Sequence, residues 1–363
     1  MWRKLYQNMY DLIIIGAGPA GVMVAKTLIS RGMKILLLEK GCSLAKRRDL
    51  VNGWFGHGLF ALNRLDLNDK LLQNPKIIKE VLKMVQRIAN QIKTSQNYYN
   101  LSDQAGYDLA SYLYDSIYGK ADVFFKTEVT KIEKNDSFLI HTKKNKFEGK
   151  KCLLSTGRNS LNFISDVCKD FNLDLNDTKF NIGVRVEVPT FKIKNLINDC
   201  ENIGEDVRQN AFVGEWEESN MLSAFGHSLL NKKSRCSNFM MGFEMDVEEA
   251  IRNVKIINVL TGDKLKKERI EDFMEGRTIL KHLNGFSLLK EKFKEMENTL
   301  PSFIDFAIMY IPEIRLQGLF KVNEDMQSEM PGLFGAGECT NKVSNLTGAM
   351  ASGIIAAKTI LKE

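Results

Sequence analysis

The chain has 363 residues, enough for roughly two domains of about 150 residues each. Apolar residues make up 44% and charged residues 26%, near globular averages, which excludes a disordered, collagenous or coiled-coil chain. Lys and Arg number 51 against 45 Asp and Glu, a net charge of +6 that is too small for a dedicated nucleic-acid binder but suits an anionic cofactor or substrate.

The six cysteines (Cys42, Cys152, Cys168, Cys200, Cys236 and Cys339) are scattered, with no C-x-x-C among them. That spacing excludes a zinc ribbon and a thioredoxin-type dithiol, so no metal is predicted, and it points to reduced thiols in a cytoplasmic protein. The first residues lack a small-residue cleavage site, and no run supplies the roughly 20 apolar residues of a spanning helix, so no transmembrane segment is expected.

In chain order, residues 11–15 (Asp-Leu-Ile-Ile-Ile) predict a short buried strand. A glycine-rich turn follows, then a helix from Pro19 to Ser30 ended by Gly32, then a second buried strand over Lys34–Leu38. Residues 41–62 read as a glycine-dotted loop. A basic helix is predicted over 74–96 and another over Asp103–Tyr118. Short strands follow at Val123–Phe125, Val129–Glu133, Phe138–His141 and Lys151–Ser155. Residues 182–188 alternate with a period of two and predict a half-exposed strand, with Phe212–Trp216 and Phe239–Met245 as possible partners. Helices are predicted over 247–260 and 289–296. The chain ends with a strand at Leu333-Phe334, a Gly-Ala-Gly-Glu turn and a helix of small residues.

The turn Gly16-Ala17-Gly18-Pro19-Ala20-Gly21 matches G-x-G-x-x-G between a strand and a helix. Its first glycine permits a tight turn, its second lets backbone approach a pyrophosphate, and its third lets helix and strand pack closely. The helix start then offers free N–H groups to phosphate. Glu39 ends the second strand, followed by Lys40. An acid there accepts ribose hydroxyls and repels a 2′-phosphate, which predicts an adenosine nucleotide other than NADP.

Four further features point to FAD. They are Gly337-Glu338, an acid placed for ribityl hydroxyls; the helix start Leu346-Thr347-Gly348-Ala349, with small residues and a favourable dipole; Thr156-Gly157 at a strand end; and the strand at Val129, whose backbone is placed to hold an adenine. Arg47 and Arg48 are candidates for the pyrophosphate, or else a solvated basic turn.

Together these segments resemble the flavoproteins with two dinucleotide-binding folds related to glutathione reductase. The resemblance covers residues 10–60, 120–160 and 330–363. Within that superfamily the chain is most similar to the loosely characterised NAD(P)/FAD-dependent dehydrogenases, through Gly183-Val184-Arg185-Val186-Glu187-Val188-Pro189 and the loop 53–58. Segment 235–243 departs from the cysteine- and glycine-rich stretch of that group, so substrate and mechanism are not carried over.

The resemblance implies an α/β fold: a Rossmann-like FAD-binding domain built from both chain ends (1–178 with 331–363, carrying a helical insertion at about 64–118) and an inserted mostly β, α+β substrate domain (179–330). It implies non-covalent FAD and a loop 53–58 close to the flavin ring. His57 in that loop is then a candidate proton donor or cofactor contact, with a packing histidine as the equal alternative. Trp54, Phe55 and Trp216 are core aromatics or pocket walls. Cys339, next to Glu338, is a packed thiol or lies near the flavin.

No second complete G-x-G-x-x-G exists, so no separate NAD(P)H domain is expected, and NAD(P)H enters as a transient reductant. The expected function is a flavin-dependent oxidoreductase acting on a small organic molecule. A flavin monooxygenase is one alternative, weakened by the missing His and Pro near 338–345. A non-catalytic flavin- or NAD-binding redox sensor or partner subunit is the other. The basic helix is a solvated face, or a contact for an acidic electron-donor protein.

Overall fold

The structure is a computed structural model. It describes residues 9–60, 64–67, 69–86, 93–95, 98–100, 103–158, 160–176, 179–193, 205–218, 221–229, 232–262, 264–283, 285–316, 318–343 and 345–363.

The chain opens with β1 (Tyr10–Ile15), α1 (Pro19–Ile29) and β2 (Ile35–Leu38). Next come β3 (Arg64–Asp66), α2 (Pro75–Gln86), β4 (Lys93–Ser95), β5 (Tyr98–Asn100), α3 (Asp103–Ile117) and β6 (Asp122–Phe124). The run continues through β7 (Val129–Lys134), β8 (Phe138–Thr142), β9 (Lys146–Leu154) and α4 (Leu161–Asp170). Then follow β10 (Phe180–Pro189), α5 (Thr190–Ile193), β11 (Glu205–Arg208), β12 (Phe212–Glu218), β13 (Met221–His227) and β14 (Cys236–Met245). The remainder is α6 (Val247–Thr261), β15 (Lys266–Arg269), α7 (Ile270–Met274), α8 (Phe286–Thr299), α9 (Phe303–Phe306), β16 (Ile308–Leu316), β17 (Leu333–Gly335) and α10 (Leu346–Ile360).

Two compact units result: Met1–Asp177 with Gln317–Glu363, and Thr178–Leu316. Residues 318–330, grouped by sequence with the substrate domain, lie in the first unit. The Phe320 N–H donates to Cys339 O at 2.9 Å, and Gly335 N–H donates to Met326 O at 3.0 Å. A loop stays where its backbone donors and acceptors are satisfied.

The first unit holds a mixed sheet in the order β6-β2-β1-β9-β8-β7, with β17 beside β9. Strands β6, β2, β1, β9 and β17 are parallel, and β9, β8 and β7 antiparallel. Strand β9 serves both parts. Its start pairs with β8, whereas Cys152–Leu154 pair with β17. Leu12–Ile14 and Leu36–Leu37 are fully buried, as strands covered on both faces require, which is why they read as unbroken apolar runs. Helices α1 and α10 pack through small residues: a Cβ at Gly353 would meet Ala20 O at 2.4 Å.

Of the helix expected over 74–96, Pro75–Gln86 are helical, whereas Lys93–Ser95 form a strand in a small β3-β5-β4 sheet. Residues 87–92 lie outside the described residues.

The second unit has an antiparallel sheet, β11-β14-β10-β16-β15, and the hairpin β12–β13. Val184, Val186 and Val188 pack with Phe239, Phe273, Phe293 and Phe303 in one core. Strand β14 pairs with β10 as expected, whereas Phe212–Glu218 pairs within the hairpin. The opposite face of β10 was expected to meet solvent, yet Arg185 is fully buried. The hairpin covers it: a Cβ at Gly226 would meet Arg185 Nη2 at 2.2 Å. Arg185 Nε donates to Asn238 Oδ1 at 2.9 Å and Nη1 to Glu313 Oε1 at 3.1 Å, and Arg315 Nη2 also donates to Glu313 at 3.1 Å. This ion pair satisfies a charge that burial would otherwise penalise heavily.

His227 lies in the same region, between the rings of Phe212 and Phe225. Burial and then the charge of Arg185 pull its pKa from 6.5 to about 4. The unfolded chain therefore takes up this proton first as pH falls, and stability is lost between about 6.5 and 4. Urea midpoints should drop as the pH is lowered through that window, and His227→Gln should flatten the slope. An unchanged slope in the variant would contradict the assignment. Glu313→Ala, which leaves Arg185 buried without its partner, should cost about 3–5 kcal/mol in the same titration.

Candidate nucleotide-binding site

Three glycines shape the turn after β1, and each does something different. Gly16 has φ +101°, and a Cβ there would meet Ser155 O at 2.5 Å. A Cβ at Gly21 would meet Gly16 O at 2.2 Å and Ser155 Oγ at 2.5 Å, so this residue sets the close packing of α1 on the strands. A Cβ at Gly18 would meet only Ser155 O, at 3.7 Å. Gly18 is the N-cap of α1 with no side-chain cap, and Pro19 and Ala20 open the helix. The helix start is thus bare backbone with room for a methyl at Gly18, and the N–H groups of a first helical turn favour an anion.

Glu39 is buried and links three backbone segments. Its Oε2 accepts from Ala17 N–H at 2.8 Å, and its Oε1 accepts from Gly41 N–H at 2.7 Å and Gly53 N–H at 3.0 Å. A carboxylate offers about four acceptor sites, so Oε2 retains capacity for a hydroxyl. Thr127 N–H donates to Glu39 O at 2.9 Å, which brings the chain leading to Val129 beside the same strand end.

The loop 53–58 folds back onto the glycine turn. Phe55 N–H donates to Ala17 O at 2.7 Å. A Cβ at Gly56 would lie 3.4 Å from Gly18, and one at Gly58 would meet both Pro19 and Leu346. His57, half-buried between these glycines, is therefore held near the starts of both α1 and α10. Trp54 and Phe55 are core: both are buried, and Trp54 Nε1 donates to Ala110 O at 2.9 Å. The side chain of Trp216 lies outside the described residues.

Arg47 and Arg48 part company. Arg47 bonds the carbonyls of Trp54 and Asp49 and stacks on Phe60, whereas its buried Nη2 has no partner among the described residues. Burial lowers its pKa to about 10, with Glu39 and Asp49 pulling the other way, so it stays cationic at neutral pH. Arg48 and Lys40 are exposed.

At the C-terminal segment, Gly337 N–H donates to Ser352 Oγ at 2.9 Å, tying the turn to α10. Glu338 pairs with Arg158 Nε at 3.1 Å. Thr156 and Ser160 share a hydroxyl hydrogen bond, and Gly157 has φ +71° with open space at its Cβ position. Cys339 is a packed thiol: its Sγ lies 3.3 Å from Ala336 O, and burial pushes its pKa up to about 12.

Helix α10 is capped by Asn345, whose side chain accepts from Gly348 N–H at 2.8 Å. The buried hydroxyl of Thr347 has no partner among the described residues, and Ala349 is buried behind it. The small residues here mainly admit protein. A Cβ at Gly348 would meet the Asp69 carboxyl at 2.0 Å, so that buried acid rests on the first turn of α10, where negative charge is favoured.

Asp69 was missed by the sequence reading because it stands in an aperiodic segment. Ser155, whose Oγ lies 3.0 Å from Ile15 O and 2.9 Å from Gly16 O, was likewise missed as a tie to the glycine turn. Among the described residues no cluster of His, Cys, Asp or Glu forms a metal site, and no helix is long and apolar enough to cross a membrane.

Residues 10–179 match a family described as pyridine nucleotide-disulphide oxidoreductase. A stretch of 34 residues is 50% identical to digeranylgeranylglycerophospholipid reductase of Methanosarcina acetivorans, spanning 9% of this chain and 8% of that protein. A glycine oxidase from Geobacillus kaustophilus aligns over 98% of this chain and 96% of its own, at 12% identity and a TM-score of 0.49. A geranylgeranyl bacteriochlorophyll reductase-like protein from Thermoplasma acidophilum aligns over 98% and 78%, at 15% identity and a TM-score of 0.48.

The glycine geometry separates packing from binding. Gly21→Ala should destabilise the protein by about 1–3 kcal/mol through overpacking, whereas Gly18→Ala should stay within about 1 kcal/mol of the parent in a denaturant titration. Equal losses for the two would contradict these separate roles.

Proposed function

We propose that the chain is a flavin-dependent oxidoreductase that holds FAD non-covalently and oxidises or reduces a small organic substrate. The observation that carries this reading is the backbone at Gly18, where a Cβ would meet only Ser155 O, at 3.7 Å, with Arg47 Nη2, which has no partner among the described residues, as a second anion-seeking group in the same unit. The oxidoreductase family match over residues 10–179 supports it.

In this reading the N–H groups starting α1 and the Arg47 Nη2 receive the diphosphate. Glu39 Oε2 accepts a ribose hydroxyl, and the backbone near Val129 receives the adenine. Thr156-Gly157 borders the cofactor. Glu338 turns between Arg158 and the ribityl hydroxyls, and the start of α10 (Leu346–Ala349) supplies a positive dipole end. Bound FAD would supply the redox chemistry, and the protein would position and tune it. His57 holds or delivers a proton in turnover, NAD(P)H serves as the transient reductant, and the protein works in the cytoplasm.

The purified protein should show a flavin absorbance spectrum, either as isolated or after reconstitution with FAD. Anaerobic NADH or NADPH should bleach it. A protein that stays colourless after reconstitution would overturn the reading, and a bound flavin that no reductant bleaches would favour a non-catalytic binding subunit. Gly18→Ala should remain folded yet retain FAD at least about tenfold more weakly, because its methyl fills the cradle. His57→Gln should slow turnover while leaving bound flavin in place. Unchanged turnover would return His57 to packing.

A further inference from the structure

Helix α6 buries one face and exposes an unusual other. Ala250, Asn253, Val254 and Ile257 are buried. Arg252, Lys255, Ile256, Val259 and Leu260 follow at helical spacing along the opposite face, and all are exposed. Val259 is 82% exposed, Ile256 41% and Leu260 42%. A helix whose outer face meets only water carries polar residues there.

Positive charge stands on the same helix face, at Arg252 and Lys255, and continues in the chain beyond the helix. Lys264, Lys266 and Lys267 are exposed just beyond Gly262, whose φ of +65° ends the helix. Segment 252–267 contains Arg252, Lys255, Lys264, Lys266 and Lys267 against the single acid Asp263. Lys266 lies 3.8 Å from Glu268, and Lys267 sits over the Tyr310 ring. Among the described residues, Arg252, Lys255 and Lys264 have no acidic partner. The acids of α6, Glu248 and Glu249, stand in its first turn, at the opposite end.

We propose that the C-terminal half of α6 and the following lysines form a docking surface for an anionic lipid bilayer. Ile256, Val259 and Leu260 enter the boundary between headgroups and acyl chains, while Arg252, Lys255 and Lys264 meet lipid phosphates. Charge decides between occupants. A second copy would bring five cations against five, and three apolar side chains fall well short of the roughly 800 Å² per partner of a standard protein interface. Anionic headgroups complement the cations, and shallow insertion suits the small apolar area.

The test is co-sedimentation of the full-length protein with vesicles of phosphatidylcholine alone, and with vesicles containing about one-third phosphatidylglycerol. Binding should require phosphatidylglycerol and weaken with added salt. Lys255→Glu with Lys264→Glu should reduce partitioning at least about tenfold, on the basis of about fivefold for each cation lost near the surface. Val259→Ser, a solvent-exposed change that keeps all the charges, should also reduce it, and circular dichroism checks that each variant is folded. Equal binding to both vesicle types, no binding to either, or variants that bind like the parent would overturn the proposal. A soluble dimer that Val259→Ser dissolves would overturn it in favour of self-association.

Discussion

The carboxylate of Glu39 holds the candidate site together. It takes three backbone N–H groups, from Ala17 in the glycine turn, Gly41 beyond β2 and Gly53 in the returning loop. Hydrogen bonds to a charged acceptor contribute about 1.5–3 kcal/mol each, and removing the acceptor would leave the buried donors unsatisfied. Because these segments share one acceptor, the turn, the strand end and the loop are tied together at one point. The placement of Gly56 against Gly18, and of Gly58 against Pro19 and Leu346, follows from that clamp.

Close backbone approach is the second constraint. The first unit brings α1, α10 and the strand ends together by removing side chains where they meet: Gly16 and Gly21 against Ser155, Gly353 against Ala20, and Gly348 against Asp69. Gly18 stands apart, since a methyl there would meet little protein. The glycines of one short motif thus divide between packing and access, and only the contacts tell them apart. The second unit uses the same device at Gly226, which makes room for the buried Arg185 and its partner Glu313.

Much of the first unit is legible in one dimension because its signals are local. Strands β1 and β2 are buried on both faces and read as unbroken apolar runs, and the strand–glycine turn–helix sequence leaves few other arrangements. The strand at Leu333 and the helix from Leu346 are legible for the same reason. The basic run after Asn74 misleads at Lys93–Ser95, since that strand is stabilised by pairing with β5, a partner that local periodicity does not reveal. Strand β10 shows the limit of a period-two reading. Alternation predicts which residues share a face, yet the hairpin β12–β13 decides that the Arg185 face is covered.

By itself the sequence determined the β-α-β unit with its glycine turn, the candidacy of Glu39 and the absence of a C-x-x-C pair, because each depends on residue identity at short spacing. Tertiary structure decided the rest. It separated Arg47, folded into the loop with one nitrogen lacking a partner among the described residues, from its exposed neighbour Arg48. It set Asp69 on the first turn of α10, and it gave residues 318–330 to the first unit. These outcomes depend on which buried donors, acceptors and charges find partners far along the chain, and such long-range pairing leaves no periodic trace in the residues that make it.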